Sequence, residues 1–230
     1  MDPRERLIVA LDRSSRDEIL RLAEEIHGFA GMVKIGLQAF VANGPSIVRE
    51  LVAAGERVFL DLKFHDIPNT ASRAVSEAAA LGASIINVHA AGGGEMMRAC
   101  AKALSSDRKP LLIAVTALTS LGDRDLDEIG MRGDSRSVVA RLARLTLDSG
   151  LDGVVASPRE IAIVRETCGE SFAIVTPGIR GATDAARDQK RTMTANEAIA
   201  AGATYIVVGR PITDAEDRRG AARAIVDEMA

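Results

Sequence analysis

Eight short apolar runs, rich in β-branched residues, recur along this chain at intervals of mostly about 20–30 residues. They are LIVALD (7–12), MVKIGL (32–37), RVFLDLK (57–63), SIINVHA (84–90), LLIAVTAL (111–118), GVVAS (153–157), FAIVTPG (172–178) and TYIVVGR (204–210). Each is almost continuously apolar, as a strand covered on both faces must be. Between them lie Ala, Leu, Glu and Arg-rich stretches with helical spacing, such as SRDEILRLAEEI (15–26) and DSRSVVARLARLTLDSG (134–150). Gly82, Gly150 and Gly202 fall where such stretches should end before the next strand. Strict alternation of eight strands with eight helices predicts a (β/α)8 TIM barrel, formed by residues 1–230 as a single domain. The main competitor is an open doubly wound sheet, but no G-x-G-x-x-G follows the first strand.

Composition narrows the function classes. Hydrophobic residues make up 47% and charged residues 27%, enough apolar material for a large core. The formal net charge is −3 and no long Lys/Arg run occurs, which argues against a nucleic-acid partner. Aromatic residues are only 3% and Trp is absent, so base-stacking platforms are not expected either. The opening MDPRERLIVALD has no signal-peptide pattern, and no apolar run approaches the ~18 residues of a membrane span. A cytoplasmic protein without membrane attachment is the expectation. Cys100 and Cys168 stand alone in helix-like stretches and read as reduced packing residues.

The polar residues that interrupt this pattern gather at one place. Asp12 ends the first run, Lys34 lies within the second, Asp61 and Lys63 end the third, and His89 ends the fourth. Thr119 follows the fifth, Arg180 the seventh, and Arg210 closes the eighth. All sit at carboxyl ends of strands, the end of a barrel that carries active sites. Asp61 and Lys63 are two residues apart and share a face, so if Leu60 and Leu62 meet the helices, both charges point at the barrel mouth. A lysine between Val33 and Ile35 is costly in a buried strand unless it is paired, so Lys34, Asp61 and Lys63 are expected to form one ionic network. TPGIR (176–180) and VVGRP (207–211) follow strands seven and eight, where barrels frequently hold a phosphate. There Gly178 and Gly209 let backbone approach an anion, Arg180 and Arg210 offer paired donors, and Gln189 adds a neutral one from a long connection. The two longest connections, 119–133 and 179–191, have the composition of closing lids. His65 and His89 fit no metal-binding spacing and read as hydrogen-bonded residues near the site.

The stretch DLKFHDIPNT (61–70) is the most specific signal. Together with IVALD, VKIGL, VTALTS, TPGIR and VVGRPIT in order, it closely resembles the bacterial type of the orotidine 5′-monophosphate decarboxylase family, over about residues 7–230. The resemblance implies an alternating array of Lys34, Asp61, Lys63 and Asp66, and a homodimer in which Asp66 and Thr70 reach into the partner's site. It further implies that Asp12 and Lys34 contact the ribose and that Thr119 and Ser120 lie near the pyrimidine. Arg180, Gln189, Gly209 and Arg210 would hold the phosphate.

The implied reaction converts orotidine 5′-monophosphate to uridine 5′-monophosphate and CO2, the last step of de novo pyrimidine synthesis. It leaves a carbanion on ring carbon 6 with no adjacent electron sink. No cofactor and no metal are expected, so fixed charges must stabilise that carbanion, with Lys63 as cation and proton donor. Two alternatives remain open at this stage. One is a magnesium-dependent sugar-phosphate decarboxylase or aldolase on the same scaffold; the other is a non-catalytic phosphate-binding barrel.

Overall fold

The computed structural model describes residues 1–104, 109–179 and 193–230. Its eight strands are β1 (Leu7–Ala10), β2 (Met32–Gly36), β3 (Val58–Phe64), β4 (Ile85–His89), β5 (Leu111–Val115), β6 (Gly153–Val155), β7 (Ala173–Pro177) and β8 (Tyr205–Val208). All pair in parallel, in sequence order, and β8 closes onto β1. This is the (β/α)8 barrel that the sequence pattern predicts, and each of the eight runs supplies one strand. The strands stop one to three residues short of several runs. In β5 the ladder ends at Val115, so Ala117 and Leu118 belong to the connection that follows.

Alternation along each strand sorts side chains into two apolar groups. Ile8, Ala10, Met32, Phe59, Ile85, Ile113, Val175, Tyr205 and Val207 fill the barrel interior. Their neighbours Val9, Val33, Ile35, Leu60, Ile86, Val88, Ala114, Ile174 and Val208 face outward and pack on the helices. Helix Arg16–Ile26 shows the matching logic: Ile19, Leu22, Ala23 and Ile26 form its buried stripe, and Ser15 caps it by accepting from the Glu18 N–H. The expected helix-ending glycines take the left-handed conformation that ends a helix cheaply, with φ of 89° at Gly82, 80° at Gly150 and 108° at Gly202. The connection 119–133 contains a short helix, Asp123–Glu128, before the helix Ser135–Asp148 begins. Asp125 closes the first turn of that short helix by accepting from the Gly122 N–H. Among the described residues, no helix is long and apolar enough to cross a membrane.

β3 departs from a regular ladder where the site is built. Leu60 pairs with Ile86, yet the next partners are Phe64 and Val88. Two extra residues are therefore accommodated on β3, and Lys63 turns the chain back with φ at 52°, the one non-glycine residue with positive φ among those described.

Candidate active site

The mouth of the barrel is a cavity of about 660 Å³, within the usual range for a small-molecule site. Its floor and walls are the upper interior residues Ala10, Phe59, Val115, Val155, Val175 and Val207. Its polar lining comes from Asp12, Lys34, Asp61, Lys63, Thr119, Gly209, Arg210 and Asp214.

Alternation brings Lys34 inward, because Val33 and Ile35 go to the helices. Its ammonium lies 3.1 Å from Asp12 Oδ1 and 3.4 Å from Asp61 Oδ2. Lys63 Nζ donates to Asp61 Oδ1 at 2.6 Å. The result is a continuous row, Asp12–Lys34–Asp61–Lys63, along the ends of three neighbouring strands. The expected network of Lys34, Asp61 and Lys63 is thus assembled, and Leu62 packs outward as expected. The middle of the row is sheltered, with the Lys34 and Asp61 side chains 10% and 13% exposed, while its ends open to solvent, Lys63 at 31% and Asp12 at 51%. Burial by itself would raise the Asp61 carboxyl, but the ammoniums of Lys34 and Lys63, with hydrogen bonds from Lys63 and Asn87, hold it below the usual carboxylate range.

Two residues of this site were missed from the sequence. Asn87 is fully buried on β4, donates to Asp61 Oδ1 at 2.6 Å and accepts from the Lys63 backbone N–H at 2.8 Å. The signal was present: an asparagine inside the apolar run SIINVHA is as costly as a lysine inside MVKIGL. Gly36 is the other. A β-carbon there would stand 2.9 Å from Lys34 Nζ and 3.0 Å from Asp12 Oδ1, so any side chain would push the tips of that pair from where they meet.

The remaining expected site residues divide into three groups. Thr119, Gly209 and Arg210 line the cavity, whereas Ser120 is exposed and off it. Asp66 and Thr70 are also exposed and do not line their own chain's cavity; Asp66 Oδ1 accepts from the Ile67 N–H at 2.6 Å. In a single chain the outer acid next to a lysine is therefore Asp12, not Asp66. Arg180 and Gln189 fall outside the described residues. His65 and His89 stack with ring centroids 5.3 Å apart. Burial, followed by the nearby His65 and Lys63, lowers the His89 pKa, and its Nδ1 accepts from the Ala91 N–H at 3.4 Å. This favours a neutral ring carrying its proton on Nε2. Among the described residues no three His, Cys, Asp or Glu side chains converge in a way that could hold a metal ion.

Comparison with known proteins agrees with this geometry. The chain is 49% identical over 230 residues to an orotidine 5′-phosphate decarboxylase of Geobacter sulfurreducens, covering 98% of this chain and 96% of that one. It is 50% identical over 226 residues to one from Alkalilimnicola ehrlichii, again covering 98% and 96%. The crystal structure of orotidine 5′-phosphate decarboxylase from Lactobacillus acidophilus superposes with a TM-score of 0.87 at 36% identity, covering 97% of this chain and 98% of that one. A model of the orotidine 5′-phosphate decarboxylase / HUMPS family matches residues 5–225. With a closed eight-stranded barrel and a Lys–Asp–Lys row at its mouth, the chain belongs to the orotidine 5′-phosphate decarboxylase / HUMPS family.

Proposed function

We propose that this chain converts orotidine 5′-monophosphate to uridine 5′-monophosphate and CO2, the closing step of de novo pyrimidine synthesis, using its own side chains alone. The observation that carries the reading is the Lys63 ammonium, held 2.6 Å from Asp61 Oδ1 at the rim of an apolar-floored cavity. A carbanion needs a fixed cation there, and a low-polarity floor strengthens the field that the cation exerts.

The order of polar groups round the rim supports this substrate. Gly209 and Arg210 follow β8, Asp12 follows β1, Lys34 lies on β2, Asp61 and Lys63 on β3, and Thr119 follows β5. A nucleotide has the same order: phosphate, ribose, reacting ring carbon, remaining ring edge. Arg210 and Gly209, with Arg180 and Gln189, hold the phosphate; Asp12 and Lys34 bond the ribose hydroxyls; Thr119 meets the pyrimidine. The bond from ring carbon 6 to the carboxylate breaks, CO2 leaves, and the electron pair stays on carbon 6. Lys63 stabilises that pair and then donates a proton to it, and the resulting amine regains its proton from water. Asp61 keeps the Lys63 ammonium aimed through their 2.6 Å hydrogen bond. Because each Asp61 oxygen already faces an ammonium, a divalent cation at this carboxylate would meet two like charges. This disfavours a magnesium-dependent sugar-phosphate reaction.

The working enzyme in this reading is a homodimer, with Asp66 and Thr70 completing the partner's site. Exposed Ile67 beside Asp66 (67%) and exposed Val41 on the helix after β2 (80%) support a face that meets a second copy. Free Cys100 and Cys168 suit a reducing compartment, and the cytoplasm is the proposed location.

One assay separates the readings. Purified protein is mixed with orotidine 5′-monophosphate, and the loss of its absorbance is followed with and without excess chelator. Turnover that is indifferent to chelator is expected. Turnover abolished by chelator favours a metal-dependent reaction, and nucleotide binding without turnover favours a binding barrel.

A further inference from the structure

Two features of β3 and β4 lack an explanation in the mechanism just given. Lys63 holds a left-handed backbone that a side chain rarely adopts. Asn87, a fully buried polar residue, stands where β4 has two residues fewer than β3. The two are joined by a single planar amide. Its oxygen accepts from the Lys63 N–H at 2.8 Å, a donor that the irregular ladder leaves without a regular strand partner. Its nitrogen donates at 2.6 Å to Asp61 Oδ1, the same oxygen that receives the Lys63 ammonium.

We propose that Asn87 is a positioning residue for the reaction, fixing the Lys63 side chain at both of its ends: the backbone from which it springs and the carboxylate at which it points. The proposal rests on the decarboxylase reading above. Asn suits this position because the task needs one donor and one acceptor a few ångströms apart on a rigid plane. An aliphatic residue supplies neither and leaves two buried groups unpaired. An ionised aspartate supplies the acceptor but no donor. A protonated aspartate reproduces both.

That last equivalence gives a test that packing alone does not mimic. Position 87 faces Asp61 and Lys63 of β3, with Lys34 of β2 behind Asp61, apolar Ile113 of β5 beside it, and His89 two residues along its own strand. In Asn87→Asp the new carboxyl shares its surroundings with Asp61, and protonation restores the amide's pattern. The ratio of its kcat to that of wild type is expected to rise as pH is lowered, by up to about tenfold per unit for one proton. Thermal melts and product-nucleotide binding at each pH show whether the fold is intact. For Asn87→Ala, kcat is expected to fall about 10- to 100-fold with KM within about threefold, the cost of roughly 1 Å of misplacement. A kcat within about twofold of wild type in Asn87→Ala, or an Asn87→Asp ratio that stays well below one without rising toward low pH, overturns the proposal. If Asn87→Ala does not fold, the near-isosteric Asp variant carries the test.

A crystal structure of either folded variant, with Asn87→Asp taken at a pH where it is ionised, decides the matter independently of turnover. Lys63 is expected to leave the left-handed region, or its ammonium to move beyond about 3.5 Å from Asp61. If both stay in place, the positioning role is refuted. Should wild-type protein itself fail to decarboxylate the nucleotide, the functional reading falls, and the crystal structure still decides what Asn87 holds.

Discussion

Replacing Asp61 by Asn removes one charge and almost no volume, so it isolates what the carboxylate does for the folded protein. Two ammoniums face it, at 2.6 Å from Lys63 and 3.4 Å from Lys34. At an effective dielectric constant of about 20 these distances give gross attractions of about 5–6 kcal/mol each. The cost of taking the charges out of water offsets most of that when all partners are present. Asp61→Asn removes the attraction and leaves both lysines in place, the situation that usually costs about 3–5 kcal/mol for a buried pair. For a chain of this size that corresponds to a melting temperature lower by ~6–20 °C. The assay is a thermal melt followed by circular dichroism, at fixed protein concentration because association shifts the midpoint.

The pH dependence carries a sign that can be checked in the same experiment. The folded Asp61 carboxyl lies below its ordinary range, so the unfolded chain takes up the proton first as pH falls. Its stabilising contribution is therefore complete above the ordinary value of ~3.9 and is lost as pH falls through the folded value. The gap between wild type and Asp61→Asn should be widest near neutrality and close in acid. A melting temperature for the variant within about 2 °C of wild type at neutral pH would refute the reasoning, because the four charges of the row would then act independently.

Three further outcomes follow from the same geometry. Lys63→Ala should lower kcat by at least ~10⁴-fold, since it removes both the fixed cation and the proton donor, while product-nucleotide affinity stays within a few-fold; steady-state kinetics and calorimetry check the two halves. If the proposed homodimer shares its sites, inactive Lys63→Ala and Asp66→Ala proteins, once mixed and allowed to exchange subunits, should regain about a quarter of wild-type activity, because half of the heterodimer's sites are then intact; no recovery after verified exchange would refute a shared site. Cys100 is fully buried and burial pushes its thiol up to about 11, so native protein should resist iodoacetamide at this position at pH 8 and react only when unfolded, as mass spectrometry would read.

Much of the site was legible because a charge in a buried strand has few physical excuses. Lys34 between Val33 and Ile35 announced a partner, and strand alternation then named the direction it faces. The same reasoning applied to Asn87 would have found it, but an amide inside an apolar run is a quieter signal than a charge. The lid expected at 119–133 was read from polar, glycine-containing composition. The short helix inside that connection, whose first turn Asp125 closes by accepting from the Gly122 N–H, is a local feature that composition alone does not announce. The strand ends were overextended for a related reason: apolar residues such as Ala117 continue past the point where a parallel neighbour is still present to bond with.

By itself the sequence determined the barrel and the end of it that carries chemistry. Eight two-faced apolar runs separated by amphipathic helices have few other ways to bury their surface, and polar residues at the strand ends must then meet at one rim. Only the tertiary structure decided how those residues meet. Counting two positions from Asp61 to Lys63 assumes a regular strand, yet the chain there takes a left-handed turn that accommodates two extra residues opposite β4. Their common direction therefore depends on Asn87, a residue on a neighbouring strand more than twenty positions away in sequence. Hydrogen bonds across strands are set by register, and register arises from the packing of the whole barrel rather than from any local stretch of sequence.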